Sequence, residues 1–244
     1  MGLADYFSKD AKVRRTRERA LKKLTNMYYQ SGDRLDAAQS AAQLVREGDI
    51  DSVAVMLARF EHITPNYTMD QQEKEYIFDL LVDLGVGVAP AVAAYARTSK
   101  ASPHWALKVL ARFWSAEQLQ AFLLELLRAM SNDYWRSPER KVSILHLAAE
   151  QQSPEIAQEL VRFVEDHHEE ARIQAIEGIF RNGVVSACEA LMKQLEVEES
   201  TRIQRLVLER LAEARWPVAA WSTVLQPRLG WEYTFTPDGA LARR

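Results

Sequence analysis

The distribution of apolar residues along the chain predicts pairs of short amphipathic helices. In residues 169–181 the apolar positions return every three or four residues, with charged and amide side chains between them, which gives one apolar stripe along a helix. Residues 184–195 repeat this spacing. Asn182 and Gly183 separate the two segments, because both residue types tolerate the left-handed conformation at a helix C-terminus. Two such helices do not close a core alone, so neighbouring segments must cover them.

The same helix-break-helix pattern recurs along the chain. Further copies fall at residues 34–60, 71–96, 105–127, 141–164 and 201–225. Units of roughly 30 to 37 residues that repeat in this way are typical of an α-solenoid. The pattern therefore predicts an all-α fold, namely a right-handed α-solenoid superhelix of about six helical pairs, with a basic helix at its N-terminal end.

The best-preserved unit resembles a known repeat. It has an Arg-Ile-x-x-Ile motif at residues 172–176, a short Asn-Gly turn and an Ala/Leu-rich second helix. A unit of this kind is similar to the HEAT repeat of small bacterial HEAT-repeat proteins. The resemblance extends over residues 33–225 and is strongest from residue 139 onward. It implies a HEAT-like superhelix and carries little information about an activity.

The two ends of the chain depart from the repeat pattern. Residues 1–30 are predicted to be a basic N-terminal arm and capping helix, residues 31–225 the repeat solenoid, and residues 226–244 a C-terminal tail. The tail is either irregular or a short hairpin about the turn at residues 236–239. The N-terminal helix is expected at residues 11–29. Its predicted core stripe consists of Ala20, Leu21, Leu24, Met27 and Tyr28.

Charge is distributed unevenly along the chain. Residues 1–30 contain eight basic and three acidic residues, a charge of +5, whereas the remaining 23 basic and 31 acidic residues give −8. The basic residues of the arm are Lys9, Lys12, Arg14, Arg15, Arg17, Arg19, Lys22 and Lys23. Two interpretations stay open: a polar cap that shields the end of the array, or a contact for an acidic protein, a nucleic acid or anionic lipid.

Composition limits the compartment and the chemistry. A single cysteine, Cys188, excludes an intramolecular disulfide, and its place on an apolar stripe predicts a buried thiol. No apolar run approaches the length of a membrane span, and the N-terminus lacks a secretory apolar segment. The sequence therefore predicts a cytoplasmic protein without a spanning segment, which allows only a weak surface contact of the basic arm with a membrane.

Enzymatic routes known for HEAT-like folds find little support in these residues. Deoxyhypusine hydroxylases, which this chain resembles in fold, hold two irons with repeated His-Glu pairs, and here only His168-Glu169 has that form at a helix start. HEAT-like DNA glycosylases use a basic concave face, but the second helices at residues 117–128, 155–165 and 189–196 are each net negative, which repels phosphate. Bilin lyase subunits are similar only in repeat type. No nucleotide-binding loop or hydrolase motif occurs. We therefore predict no catalytic residue, metal or cofactor.

The leading functional prediction is a non-enzymatic scaffold or adaptor that binds a protein through the concave face formed by the second helices. The predicted partner-binding residues are Arg59, Arg97, Glu125, Arg128, Glu155, Glu159, Arg162, Glu189 and Lys193. Because their charges change from basic to mixed and acidic along the chain, the expected partner carries a basic or mixed-charge segment, and nucleic acid is disfavoured. The alternatives are a HEAT-like DNA glycosylase or other nucleic-acid-binding enzyme, and a regulatory or lyase-type accessory subunit.

Overall fold

The computed structural model describes residues 9–134 and 136–244, and most of them are helical. The α-helices are α1 Lys9–Leu24, α2 Ser31–Arg46, α3 Ser52–Leu57, α4 Tyr67–Asp83, α5 Ala89–Thr98, α6 His104–Leu110, α7 Ala116–Arg128, α8 Glu139–Ala149, α9 Pro154–Leu160, α10 Glu169–Arg181, α11 Cys188–Val197, α12 Thr201–Ala214 and α13 Ser222–Leu225. Short 3-10 helices flank several second helices, at Ala58–Glu61, Val86–Val88, Val161–Glu165, Val185–Ala187, Ala219–Trp221 and Gln226–Arg228. The all-α prediction is confirmed.

The chain divides into two compact units, Met1–Leu119 and Gln120–Arg244, a division that the repeat pattern does not mark. In the first unit the helices that open each pair pack on one another, since α2 contacts α4 and α4 contacts α6. The helices that close the pairs do the same, because α3 contacts α5. Helix α1 packs against both α2 and α3. The described part of this unit thus has two helical layers.

The second unit has the same two layers. Helix α10 contacts both α8 and α12, while α11 contacts both the Val161–Glu165 segment after α9 and helix α13. Hydrogen bonds join neighbouring pairs, between residues 29 to 35 positions apart. The guanidinium groups of Arg162 and Arg181 donate to the carbonyl oxygens of Met130 and Ala149, each over 2.7 Å and each between residues 32 positions apart. Equivalent positions of successive pairs are therefore in contact.

The core of the second unit follows the predicted apolar stripe. Ile173, Ile176 and Ile179 of α10 are buried, as is Leu191 of α11. Gly178 of α10 is also buried, and a Cβ atom there would come within 2.3 Å of Leu160 Cδ1 and 3.0 Å of Ala149 Cα. The missing side chain allows α10 to approach α8 and α9 closely.

The break between α10 and α11 differs in detail from the expectation. Gly183 has φ +64°, but Asn182 has φ −95°, so only the glycine is left-handed. The Asn182 amide instead donates to the carbonyl oxygens of Gly178 and Gln151, over 2.9 and 3.1 Å, and accepts from the Ser153 N–H over 2.9 Å. Asn182 therefore joins the turn within this pair to the turn within the preceding pair.

The N-terminal helix is shorter than predicted. It ends at Leu24, and the Asn26 side chain then accepts a hydrogen bond from the Tyr28 N–H over 2.9 Å. Ala20 and Leu24 are buried as predicted. The other three members of the predicted stripe are exposed: Leu21 to 40%, Met27 to 54% and Tyr28 to 91%. Since the helix has ended, helical spacing no longer places Met27 and Tyr28 on its apolar face.

The C-terminal tail forms the hairpin alternative. Strands β1 Tyr233–Phe235 and β2 Leu241–Arg243 pair in antiparallel fashion, with Phe235 opposite Leu241. Gly239 in the turn has φ +80°, and its carbonyl oxygen accepts from the Val218 N–H over 2.9 Å. The hairpin is thereby attached to the segment after α12, and β2 packs against α12 itself.

Candidate functional site

Seven of the nine predicted partner-binding residues lie on second helices of the second unit, and we call them the second-helix surface. They are Glu125, Arg128, Glu155, Glu159, Arg162, Glu189 and Lys193. Glu159 and Arg162 are partly exposed and the other five are exposed. The elements that present them are α7, α9 with its Val161–Glu165 extension, and α11. Four carboxylates against three bases give this surface a charge of −1.

Ion pairs neutralise much of the second-helix surface. Arg128 Nε lies 3.8 Å from Glu159 Oε2, which joins α7 to α9. The Lys193 ammonium lies 2.7 Å from Glu189 Oε1 one turn earlier, and this hydrogen bond lowers the pKa of Glu189. Glu155 has no ion pair among the described residues. It is thus the carboxylate of this surface that is most available to a basic partner.

Arg162 holds the fold together as well as contributing charge. Its NH1 group donates to the Met130 carbonyl oxygen over 2.7 Å, and its NH2 group donates to the Leu127 carbonyl oxygen. Its Nε group donates to Glu159 Oε1 over 2.7 Å. A cation at these carbonyl groups is favourable because they close the C-terminal end of α7. Glu159 and Arg162 are therefore poor positions for testing partner binding alone.

The prediction that Arg59 binds a partner is wrong, because its side chain is fully buried. The Arg59 guanidinium donates to Glu73 Oε2 over 3.0 Å, to Asp70 Oδ1 over 2.6 Å and to the His62 carbonyl oxygen over 2.6 Å. Arg97 is exposed on α5, in the other unit from the second-helix surface.

Arg59 belongs to a buried charge cluster in the first unit that periodicity alone did not predict. Its members, none more than 5% exposed, are Arg34, Arg59, Asp70, Glu73 and Lys74. Arg34 donates twice to the Glu73 carboxylate, over 2.7 Å each, and Lys74 Nζ lies 2.7 Å from Asp70 Oδ2. Three cations face two carboxylates, which leaves a surplus charge of +1.

The ionisation of the two carboxylates follows from these contacts. Burial raises the pKa of Asp70, but hydrogen bonds from Lys74 and Arg59 outweigh it and the net shift is downward. Burial likewise raises the pKa of Glu73, and hydrogen bonds from Arg34 and Arg59 lower it further than burial raises it. Both groups are therefore held as carboxylates, and the cluster is a stable set of charges.

A cavity of about 420 Å³ opens beside this cluster. Its walls are the end of α1 with the following turn, residues 22 and 24–28, and the segment at residues 62–64. Arg34 and Arg59 form its floor, although Arg59 lies behind the solvent-accessible surface. Among residues 9–134 and 136–244, no Asp or Glu lines this cavity. The cavity thus combines exposed Lys22 and exposed apolar side chains with two buried guanidinium groups beneath its floor.

The basic arm is partly engaged in ion pairs within the first unit. Arg17 NH1 lies 3.1 Å from Asp49 Oδ1 and 2.9 Å from Asp51 Oδ2. Lys23 Nζ lies 3.0 Å from Asp33 Oδ1. The exposed bases of the arm are Lys9, Lys12, Arg14, Arg19 and Lys22, and Arg15 is partly exposed. Ala11 in the first turns of α1 is nevertheless buried.

No group of three or more His, Cys, Asp or Glu residues is placed to hold a metal ion within residues 9–134 and 136–244. His168 precedes α10, and its ring centroid lies 5.2 Å from that of Tyr134. Trp135, the second aromatic residue of this loop, lies outside the described residues. Cys188 is half-buried, and burial raises the pKa of its thiol, which reduces the thiolate fraction needed for reactivity.

No family model matches the chain, and no curated protein or solved structure matches it either. In the part of the chain that the structure describes, no single helix is long and apolar enough to cross a membrane. Helix α4 and residues 86–98 pass that test of length and composition only as a pair, with a bend of 107° between them.

Proposed function

We propose that this chain is a HEAT-like α-solenoid and acts as a non-enzymatic scaffold that binds a protein partner through the second-helix surface. The layered packing within each unit supports the repeat assignment, since first helices contact first helices and second helices contact second helices. Hydrogen bonds between residues 29 to 35 positions apart, which join neighbouring pairs, support it as well. Repeats stacked in this way present a long surface made of equivalent side chains.

One observation carries the functional part of the proposal. Glu155 and Glu189 are exposed carboxylates on the successive second helices α9 and α11, and their contacts contribute little to the stability of the unit. Glu155 has no ion pair among the described residues, and the Glu189–Lys193 pair is more than 60% exposed on both sides. Exposed pairs of this kind contribute about 0–1 kcal/mol to stability. The carboxylates of Glu155 and Glu189 can therefore pair with basic groups of another protein, and a basic or mixed-charge helix or tail would supply such groups.

The test compares two charge reversals of equal size. Glu155→Lys with Glu189→Lys changes the second-helix surface and leaves the structural Glu159–Arg162 contact intact. Glu75→Lys with Asp79→Lys is the matched control, because both residues are exposed on α4 of the first unit. The partner is first identified by affinity capture from the native cell. Association rates are then measured for all three proteins over a range of salt concentrations.

We expect the Glu155/Glu189 variant to associate more slowly, by on the order of tenfold at low salt, with a flatter salt dependence. The control should keep the rate of the natural sequence. An unchanged rate and salt slope for the first variant would rule out the second-helix surface and make the basic arm the next surface to test. Binding of duplex DNA at physiological salt, or release of a damaged base, would contradict the scaffold proposal in favour of a nucleic-acid enzyme.

A further inference from the structure

We propose that the cavity beside the buried charge cluster binds an organic carboxylate, that is, one carboxylate group on an apolar or aromatic body. We call this cavity the α1-turn cavity; its walls are residues 22, 24–28 and 62–64, and its floor is Arg34 and Arg59. The proposal goes beyond the scaffold function and does not depend on it, because it concerns another unit and another class of ligand.

Charge is the first argument. The cluster behind the floor keeps a surplus of one positive charge, from Arg34, Arg59 and Lys74 against Asp70 and Glu73. These groups are shielded from water, so their field is screened less than that of surface charges. Exposed Lys22 adds a cation to the wall, and no carboxylate of the part of the chain that the structure describes lines the cavity to oppose it. The cavity therefore favours a small anion.

The apolar rim is the second argument. Met27, Tyr28 and Ile63 line the cavity and are 54%, 91% and 74% exposed. Large apolar side chains grouped in this way around one concavity are characteristic of a binding site. An inorganic anion would leave all three in water, whereas an anion with an apolar body would cover them. The volume of about 420 Å³ lies within the usual range of small-ligand sites, about 300–1,000 Å³.

The third argument is that the cluster holds the walls in place. The Arg34 guanidinium donates to the Tyr29 carbonyl oxygen, directly after the turn that carries Met27 and Tyr28. The Arg59 guanidinium donates to the His62 carbonyl oxygen over 2.6 Å, and Asp70 Oδ1 accepts from the Thr64 N–H over 2.9 Å. The residues that carry the charge thus also fix both walls. Such a preformed site loses little conformational freedom when it binds.

A carboxylate of this kind has two sources, a small metabolite-like acid or the free C-terminus of a peptide chain. Two pairs of probes separate them in isothermal titration calorimetry with the full chain. The first pair is 4-phenylbutyrate and its neutral amide. The second is the peptide acetyl-Ala-Ala-Phe with a free C-terminal carboxylate and the same peptide as the amide. Sodium phosphate serves as the inorganic anion.

We expect each acid to bind at least about tenfold more tightly than its amide, since a charge-assisted hydrogen bond is worth roughly 1.5–3 kcal/mol. The acid that binds more tightly identifies the source of the carboxylate, a small acid or a peptide C-terminus.

Lys22→Glu should weaken binding of both acids by about tenfold. Lys12→Glu is the matched control, because Lys12 is exposed on the same helix and does not line the cavity; it should leave the affinities unchanged. Tyr28→Ala, at a residue 91% exposed, should weaken both probes without changing the melting temperature.

Several outcomes would overturn the proposal. These are equal affinities for acid and amide, phosphate binding as tight as that of phenylbutyrate, equal effects of the two lysine reversals, or no saturable binding of either acid up to about 10 mM. None of these results bears on the second-helix surface, which is tested by charge reversals in the other unit.

Discussion

Lys141 Nζ and Asp166 Oδ2 lie 2.8 Å apart, and both side chains are completely buried. Lys141 also donates to the Asp133 carbonyl oxygen over 2.7 Å, and Asp166 Oδ1 accepts from the His168 N–H over 2.9 Å. The ion pair thus joins the first turn of α8 to the loop before α10. One helical pair later, Arg172 and Glu198 make the same connection over 2.9 Å. In two successive pairs, a basic residue in the first turn of the first helix therefore forms an ion pair with a carboxylate in the loop that follows the second helix.

Removing one partner of the buried pair should destabilise the protein strongly. Asp166→Ala removes the carboxylate that pairs with the buried Lys141 ammonium, and we expect a loss of about 3–5 kcal/mol in the free energy of unfolding. Lys141→Met combined with Asp166→Asn should lose less, because no charge is then buried and the asparagine still accepts from His168. Urea denaturation measures both.

The control for that experiment is the exposed ion pair between Arg202 and Glu170, in which both side chains are more than half exposed. Glu170→Ala should change stability by less than about 1 kcal/mol. Equal losses for Asp166→Ala and Glu170→Ala would contradict the structural role of the buried ion pair.

The same substitution should have opposite effects at two glycines. Gly178→Ala places a methyl group 2.3 Å from Leu160 Cδ1 and 3.0 Å from Ala149 Cα, and such overpacking costs about 1–3 kcal/mol. Gly32→Ala, in the first turn of α2, meets no described atom within 4 Å, and alanine favours a helix over glycine by about 0.5–1 kcal/mol. Chemical denaturation of both variants tests the close approach of α10. Equal and small changes would mean that α8 and α10 are not in tight contact.

Glu198 should make the stability of the protein depend on acid pH. Burial raises its pKa, but hydrogen bonds from Gln194, the Ser200 N–H and Arg172 lower it further, so the net shift is downward. The folded chain then stays ionised where the unfolded chain takes up a proton, near the ordinary glutamate pKa of about 4.3. This contribution is complete above that pH and is lost as the pH falls through the lowered folded pKa.

Glu198→Gln removes this contribution. We expect it to reduce the free energy of unfolding near neutral pH by roughly 1.5–3 kcal/mol and to make the decline between about pH 5 and pH 2 shallower. Glu199→Gln, at an exposed neighbour, should leave the profile as it is. Urea midpoints over a pH series measure both, and parallel profiles for all three proteins would contradict the assignment.

Asn182 should be sensitive to substitution because its side chain makes three hydrogen bonds to backbone groups. Asn182→Ala leaves those groups without their partner, for an expected loss of about 1–3 kcal/mol. Asn182→Asp keeps the acceptor for Ser153 but places a charge against two carbonyl oxygens, so it should be at least as harmful at neutral pH. Gln152→Ala, at an exposed site nearby, should stay within about 0.5 kcal/mol. Thermal unfolding distinguishes these variants.

Periodicity predicted the helices of the second unit well because apolar residues form most of their buried faces. It failed for Arg59 because a periodic pattern assigns every charged residue to solvent. The counter-charges of Arg59 come from the next helix, at Asp70 and Glu73. The signal was present in α4, where positions 70, 73 and 74 continue the stripe of Ile77 and Leu81. Charged residues at apolar positions of one helix, with an arginine in the helix before it, indicate a buried ionic cluster.

The cavity was less accessible to sequence reasoning. Its walls depend on where α1 ends, and the apolar spacing of Leu24, Met27 and Tyr28 suggested a continuing helix. The Asn26 side chain ends it by accepting from the Tyr28 N–H, a local alternative to helical hydrogen bonding. Met27 and Tyr28 are exposed because of that turn. The apolar side chains around the cavity could therefore be identified only from the backbone structure.

The hydrogen bonds between residues 32 positions apart, such as Arg181 to Ala149, also set which changes in chain length the second unit tolerates. Inserting one residue within a helix rotates everything after it by about 100° and separates each such donor from its carbonyl. Removing one complete helical pair lets the following pair pack in its position, because the following pair carries donor and carbonyl groups at equivalent places. Evolution of this unit is thus expected to proceed in steps of whole helical pairs, by duplication or deletion, rather than by gradual lengthening of its helices.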